Sequence, residues 1–478
     1  MAKFNKRSTG TKTVNLAGGS AFTMDSQLEL VSLVLTSFNE DKFYESSSDQ
    51  NERLIKLLEK SDKVFIGKLA LYARHEFNLR SVSHVLAAEL ARLHKGQKEV
   101  IKQIISRPDD MTEIVSYYGN KYGKPIPNSI KKAIRERLQD FSAYQLGKYK
   151  SKKADVKLVD LFNLVHPKPK NKEQEKMWKD LLEGKLSSDT WEVALSTAAN
   201  DEERKKEWER LILEDKLGYM AIIRNLRNFT KYKISNEAKG KVCAVIQDEE
   251  RIKKSKQLPF RFYSAYLNAE DTDYKDAISF AVDKAVNNVP EFLGKTAVLI
   301  DVSGSMKSPL SSRSEIEYAD IARLFGCAFF KANKCDVFAF DSNVYGFNFS
   351  TRTPLIDLVN QIPVNGGATD LWKCFVAFIQ NNLEYDRVII LSDMQAWNST
   401  SYWSGLETVN AWYNKWTTKI GKKPLIYSID LSGYGTHQFP EKNIMYVSGW
   451  SEKIFDLIKF VEEDKNILIN TINNYNVS

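Results

Sequence analysis

Cysteine is scarce and scattered. Cys243, Cys327, Cys335 and Cys374 are the four in 478 residues, and no two have CxxC spacing. A disulfide framework and a Cys-type zinc site are therefore not expected, and a reducing cytoplasm fits. Histidine numbers only five. No Ser/His/Asp order, paired-carboxylate cleft or phosphate-binding loop is visible, so no catalytic machinery is expected. Gly294-Lys295-Thr296 looks like the end of a phosphate loop. Val289 stands where that loop needs a glycine, however, and the tripeptide precedes a strand instead of opening a helix. No apolar run approaches the about 18 residues of a membrane span. The basic start MAKFNKRSTGTKTVNLAGGS has no apolar core, so a secretory signal is not expected either. What remains is the composition of a soluble globular chain, 43% apolar and 27% charged, too long for one ordinary core.

The charge is unevenly spread. Residues 1–280 hold 51 Lys and Arg against 40 Asp and Glu, whereas residues 281–478 hold 18 against 21. The local maximum, residues 121–170, has 13 basic and 4 acidic side chains. A polyanion partner and a solvated lysine-rich face explain this equally well on charge alone. Tyr122, Phe141, Tyr144, Tyr149 and Phe162 are interleaved with these cations. Phosphate contacts and base stacking use that mixture, although Phe141 and Phe162 lie on apolar stripes and read as core.

Hydrophobic periodicity changes once. From about 26 to 285 the pattern is helical. SVSHVLAAELARLH places Val82, Leu86, Leu90 and Leu93 on one helix face, and NERLIKLLEK, KKAIRERLQDF, KLVDLFNLV, WEVALSTAA and MAIIRNLRNF are similar. Proline-rich breaks at Arg107-Pro108, Gly123–Pro127, His166–Pro169 and Leu258-Pro259 separate them. Short helices with short connections predict an α-solenoid. From about 290, the runs 296–300, 336–340, 387–391, 424–429 and 443–447 read as strands. They alternate with amphipathic helices, one of them at 451–464. That alternation predicts a doubly wound parallel α/β domain with its functional crevice at the carboxyl ends of the strands. The expected organisation is a flexible arm at 1–20, a helical-repeat domain at 21–288 and an α/β domain at 289–478.

The sharpest motif lies at that carboxyl edge. The first strand runs into Asp301-Val302-Ser303-Gly304-Ser305; a second loop carries Gly366-Gly367-Ala368-Thr369-Asp370; the third α/β strand runs into Ser392-Asp393. Two carboxylates and three hydroxyls form a hard oxygen-donor set, suited to Mg²⁺, Mn²⁺ or Ca²⁺. Neutral hydroxyl ligands also leave room for water or for an acidic group from a protein partner. This ordered arrangement resembles the von Willebrand factor A domain. The resemblance implies that Ser303, Ser305 and Thr369 ligate a metal, most commonly Mg²⁺, and that Asp301 and Asp393 do so directly or through water.

Tyr72-Ala73-Arg74, the run 147–150 leading to His166-Pro167-Lys168-Pro169, Gly218–Leu226 and Leu258–Arg261 look like a TROVE module. With the A domain, the chain resembles the Ro autoantigen family, including its bacterial members. The fold this implies is a HEAT-like α-solenoid ring followed by a doubly wound α/β A domain. The implied function is an RNA-binding scaffold for RNA quality control. Its basic outer face takes small noncoding Y-like RNA, its central hole takes single-stranded RNA 3′ ends, and an exoribonuclease is a partner. Carried over residue by residue, the Y RNA contacts fall on Lys148, Lys152, Lys153 and His166, although Ala154–Lys157 departs from the family's intervening sequence. Arg224 and Arg227, three apart on what reads as one helix face, are either hole-lining or salt-bridged. His166 is read alternatively as a helix cap. The competing reading of the whole is a metal-dependent protein-interaction adaptor using the A domain; a nuclease using Asp301 and Asp393 lacks a general base.

Overall fold

The computed structural model describes residues 12–15, 20–23, 26–35, 47–149, 155–186, 195, 198–255, 257, 259–310, 314–333, 335–396, 399–401, 405–434, 436–437, 439, 444–448, 455, 458 and 467–476. Chain contacts divide it into two compact units. One comprises Met1–Leu54 and Gly218–Ile467, the other Ile55–Leu217 and Leu468–Ser478. Among the described residues no helix is long and apolar enough to cross a membrane.

The second unit is helical. Its main elements are α3 (Lys63–His75), α4 (Arg80–Leu93), α5 (Lys98–Ile104), α6 (Pro108–Tyr122), α7 (Asn128–Leu138), α8 (Ala143–Lys148), α9 (Leu158–Val165) and α10 (Lys172–Leu182); of the preceding helices, α1 (Ser26–Leu35) belongs to the first unit and α2 (Ser47–Glu59) crosses the division. The 82/86/90 stripe is buried as its spacing requires, with Val82 at 4% and Leu86 and Leu90 at 0% exposure. The Arg107-Pro108 break is the start of α6, with Pro108 in the first turn where its missing N–H costs nothing.

Asp110 in that first turn ties three helices together. Its Oδ2 accepts from Arg74 Nη2 (2.8 Å), Ser106 N (3.0 Å) and Arg107 N (2.9 Å). Its Oδ1 accepts from Arg80 Nη2 (2.8 Å), Arg80 Nε (3.1 Å) and His84 Nε2 (2.9 Å). The residue has no exposed surface. Burial alone would raise its pKa, but His84, Arg80 and Arg74 outweigh it and hold the carboxyl well below the usual range. The C-terminal helix Ile467–Asn473 returns to this unit: the Asn473 carbonyl accepts from Lys68, and the Tyr475 ring packs edge-on against Tyr72 at 5.6 Å.

The first unit holds the α/β sheet. Its strands are β3 (Thr296–Asp301), β4 (Cys335–Phe340), β5 (Val344–Phe347), β6 (Arg387–Ser392), β9 (Leu425–Asp430) and β11 (Ile444–Ser448), in the order β11-β9-β6-β3-β4-β5. All neighbours are parallel except β5, which pairs antiparallel with β4. The all-parallel expectation is thus corrected to a mixed sheet with an antiparallel edge. Every residue of β3 and β6 is buried, as expected for strands covered on both faces. Gly326, on the Tyr318–Ala332 helix, allows that helix to press on β3: a Cβ there would stand 2.4 Å from Ile300 Cδ1. On the other face Phe375, Phe378, Tyr385, Tyr413 and Trp416 form the aromatic core.

The last helices of the helical region share this unit. Lys331 pairs with Asp283 at 2.6 Å, and the Leu355 N–H donates to the same carboxylate at 3.0 Å. The arm expected at 1–20 is partly a sheet: β1 (Lys12–Val14) and β2 (Ser20–Thr23) pair with each other, and β2 pairs with β10 (Thr436–His437). Antiparallel β7 (Ser399–Ser401) and β8 (Gly405–Glu407) form a separate ribbon. The helices expected at 191–199 and 451–464 fall largely outside the described residues.

Replacing Asp110 with Ala strands two guanidiniums, one of them buried, and an imidazole. The helical unfolding transition in urea should lose about 3–5 kcal/mol. Because the Asp110 pKa is lowered on folding, its stabilisation is present above the ordinary carboxylate range and is lost on acidification. The variant's acid sensitivity, followed by circular dichroism, should therefore be weaker than the wild type's.

Candidate functional site

The three predicted loops meet at the carboxyl edge of β3, β4 and β6. Asp301 is the last residue of β3 and has no exposed surface. Its Oδ1 accepts the Ser303 N–H at 2.9 Å and its Oδ2 accepts the Ser392 hydroxyl at 2.5 Å. Ser303 Oγ lies 3.5 Å from Ser305 Oγ and accepts from Thr369 Oγ1 at 3.0 Å. The loops are stitched together by backbone bonds: Val302 N to Phe340 O (2.9 Å), Gly366 N to Val302 O (3.2 Å) and Gly304 N to Gly367 O (3.1 Å). Gly367 has φ +102, and a side chain there would collide with Ser342 Oγ at 2.7 Å, so only glycine closes this turn. Met394 turns the third loop at φ 58, its N–H held by Ser392 Oγ at 3.0 Å.

Asp393 is 1% exposed, and its Oδ2 has no hydrogen-bond partner among the described residues. Burial, and for Asp301 the nearby Asp393 charge, push both carboxyls above the usual carboxylate range. Two buried carboxylates, one with an orphaned oxygen, beside three buried hydroxyls form a donor set that fits a hard divalent cation. Among the described residues no cluster of three or more His, Cys, Asp and Glu offers an alternative metal site.

The basic segment lies in the helical unit. Lys152 and Lys153 fall outside the described residues. Lys148 ends α8, 5.8 Å from the Tyr149 ring. His166 caps α9 in the left-handed region (φ 44), its N–H bonded to Phe162 O, as the cap reading expected. Its ring is exposed and makes no hydrogen bond among the described residues, so the cap is a backbone function that leaves the imidazole available. Arg135 on α7, overlooked in the sequence, donates from Nε to the Val165 carbonyl at 2.8 Å, beside His166. Only its place four residues after Lys131 on an amphipathic helix could have signalled it. The neighbouring acids are already engaged: Glu136 by Lys98 and Lys102, and Asp140 by Arg137 and Lys170. Lys124, Lys131, Lys132, Arg135, Lys157 and Lys168 have no acidic partner among the described residues, so the excess positive charge is real at the surface. The aromatics sort as their stripes suggested. Phe141 and Phe162 are buried, Tyr122 binds Glu89 at 2.5 Å, Tyr149 is covered by Arg107 at 4.3 Å, and Tyr144 is 52% exposed.

Arg224 and Arg227 do not share one continuous helix. Asn225 separates the Tyr219–Arg224 and Leu226–Lys231 helices. Both arginines nonetheless line one cleft, and neither has an acidic partner among the described residues.

The TROVE domain family model matches residues 32–185 and 182–290, and the Ro60 vWA domain model matches 295–461. Two curated relatives named telomerase protein component 1, from Rattus norvegicus and Mus musculus, are each 24% identical over 295 residues, covering 44% of this chain. The matched part is only 11% of each relative's length. The crystal structure of the Deinococcus radiodurans Ro (RSR) protein superposes with a TM-score of 0.65 at 14% identity, covering 90% of this chain and 97% of that one.

Raised carboxyl pKa values give a definite sign. The fold favours protonated Asp301 and Asp393, so their stabilising effect is complete below the ordinary value of about 4 and is lost as pH rises through the elevated values. With divalent ions chelated, the thermal midpoint of the full chain's α/β transition should fall as pH rises from about 4 towards neutrality. Asp301→Asn should flatten that dependence; an equally steep fall in the variant would contradict the assignment.

Proposed function

The chain belongs to the Ro family, built from a TROVE domain and a Ro60-type A domain, and from that premise we propose that it is an RNA-binding scaffold. The observation that carries the reading is the α7–α9 surface. There Lys131, Lys132, Arg135, Lys157 and Lys168 have no acidic partner among the described residues, while an exposed imidazole stands beside Arg135. Polyanion binding needs net unneutralised charge at the surface, not lysine content alone. A small structured noncoding RNA of the Y type is the proposed ligand of this segment, through Lys148, Lys152, Lys153 and His166 together with Lys131, Arg135 and Lys168. Phosphates meet the cations, and His166 and exposed Tyr144 stack or hydrogen-bond to unpaired bases. Single-stranded RNA 3′ ends are proposed as a second class of ligand, an exoribonuclease as a partner, the cytoplasm as the setting, and RNA quality control as the outcome. We assign the chain no catalytic step.

For the A domain we propose a divalent cation, most commonly Mg²⁺, held by Ser303, Ser305 and Thr369 with Asp301 and Asp393. A bound cation supplies positive charge that can hold an acidic group of a protein partner. The orphaned Asp393 oxygen favours this second, adaptor-like role alongside RNA binding.

Affinity for a small hairpin RNA should fall linearly with salt on a log–log plot. Replacing Lys131 and Lys168 with Gln should reduce the slope by about 2, at about 0.9 counterions per phosphate contact. His166→Ala should weaken binding with the slope unchanged. A slope identical in the wild type and the lysine variant would remove this surface from the interface. Isothermal titration with Mg²⁺ should give a binding heat in the wild type that Asp301→Ala abolishes.

A further inference from the structure

The N-terminal arm reaches the loop that carries Asp393. Val14 ends β1 exposed, and the next residue turns inward: Asn15 is 4% exposed. Its Nδ2 donates to the Ala396 carbonyl at 2.9 Å, a buried bond between residues 381 apart in sequence. Ala396 is itself buried and stands three residues beyond Asp393. The arm is anchored on either side of Asn15. β1 pairs with β2, β2 pairs with β10, and Ala21 in β2 is buried. Further along the same N-terminal segment, Arg53 donates to the Gly433 and Tyr434 carbonyls, each at 2.9 Å, in the loop that follows β9.

The bond matters because of how the three loops are held. The first two are joined to each other and to β4 by the backbone bonds of Val302, Gly366 and Gly304. The third loop is shaped by bonds within itself. Met394 N–H donates to Ser392 Oγ at 3.0 Å, Gln395 N–H to Asp393 Oδ1 at 3.2 Å, and Gln395 Nε2 to the Asp393 carbonyl at 3.3 Å. Local bonds of this kind set the curvature of a turn, not the direction in which it points. At the start of the loop the Leu431 N–H holds the Ser392 carbonyl at 2.9 Å; at its far end Asn15 holds the Ala396 carbonyl. Asp393, with its orphaned oxygen, lies between those two fixed points. A small divalent cation demands near-ideal placement of its oxygen ligands, so groups that orient a ligand tune affinity without touching the ion.

We propose that Asn15 is a positioning residue of the cation site: the docked arm fixes the 393–396 loop, and arm docking and cation binding strengthen each other. The inference rests on the reading of Asp301, Ser303, Ser305, Thr369 and Asp393 as a divalent-cation site. The docked arm presents Asp393 to the cation. A cation held by Asp393 in turn steadies the Ala396 carbonyl that Asn15 binds. Coupling between two binding events is reciprocal, so each effect requires the other.

The test uses the full chain and Mg²⁺ alone. By isothermal titration, Asn15→Ala should bind Mg²⁺ about 10-fold more weakly, the loss typical when a group supporting a metal ligand is removed. Arg53→Gln is the comparison. It releases the neighbouring loop, so it should lower the thermal midpoint yet keep the wild-type Mg²⁺ affinity. The reciprocal measurement needs no variant at the arm. Lys12 is exposed on β1, and tryptic cleavage after it, timed by mass spectrometry, should be slower in saturating Mg²⁺. In Asp301→Ala, Mg²⁺ should give no such protection. Should Asn15→Ala fail to fold, cleavage of the wild type decides. Wild-type affinity in Asn15→Ala, an equal loss in Arg53→Gln, or cleavage after Lys12 that Mg²⁺ leaves unchanged each overturns the proposal, while Mg²⁺ uptake by the wild type leaves the cation reading standing. A wild type that takes up no Mg²⁺ overturns both.

Discussion

Asp301 ends a strand on which every residue is buried, so its carboxylate has no water around it. Isolating a charge there is costly, and the carboxyl edge is organised around that constraint. The Ser303 N–H and the Ser392 hydroxyl reach it from two different loops. The bonds joining Val302 to Phe340, Gly366 to Val302 and Gly304 to Gly367 hold those loops in place. The two glycines at positive φ, the turn at Met394 and the convergence of three hydroxyls all follow from shaping a polar pocket around a carboxylate that the sheet itself cannot solvate.

The helical unit contains a second fully buried carboxylate, and the contrast is instructive. Asp110 accepts from two arginines, a histidine and two backbone N–H groups, and its pKa is lowered. Asp301 accepts from Ser303 and Ser392, and Asp393 beside it retains an oxygen with no partner among the described residues; both are raised. The first is a closed network that locks α3, α4 and α6 together. The second is under-compensated by the chain itself, the condition in which an external cation gains most. Residue type and burial are the same in both places; the number of donors separates the closed network from the proposed cation site.

Much of this was legible in the sequence wherever one periodicity dominated. The strands 296–300 and 387–391 are near-continuous apolar runs and appear within a residue of their expected ends. The Asp-x-Ser-x-Ser turn, the Gly-Gly-x-Thr loop and the Ser-Asp end were readable because each directly follows or faces a strand terminus. The four-residue edge strand β5 was not, since VYGF is too short to show alternation. Asn225 was hidden for a different reason: MAIIRNLRNF keeps a helical rhythm on both sides, and only the side-chain bonds to Ala221 and Asn228 reveal the break. That Lys131, Lys132 and Arg135 lack an acidic partner among the described residues was also invisible, because it depends on Lys98 and Lys102 reaching Glu136 from a helix about 35 residues away.

Neither compact unit is one continuous stretch of chain. The helical unit is interrupted after Leu217 and resumes only at Leu468, where the segment carrying Asn473 and Tyr475 packs against Lys68 and Tyr72. During synthesis its first helices leave the ribosome early, yet the strip that covers Tyr72 follows some 250 residues after Leu217. At about 5–20 residues per second that is a wait of roughly 12–50 s. Throughout it the nascent chain exposes an aromatic surface whose own cover has not yet been made, a window in which a chaperone could bind.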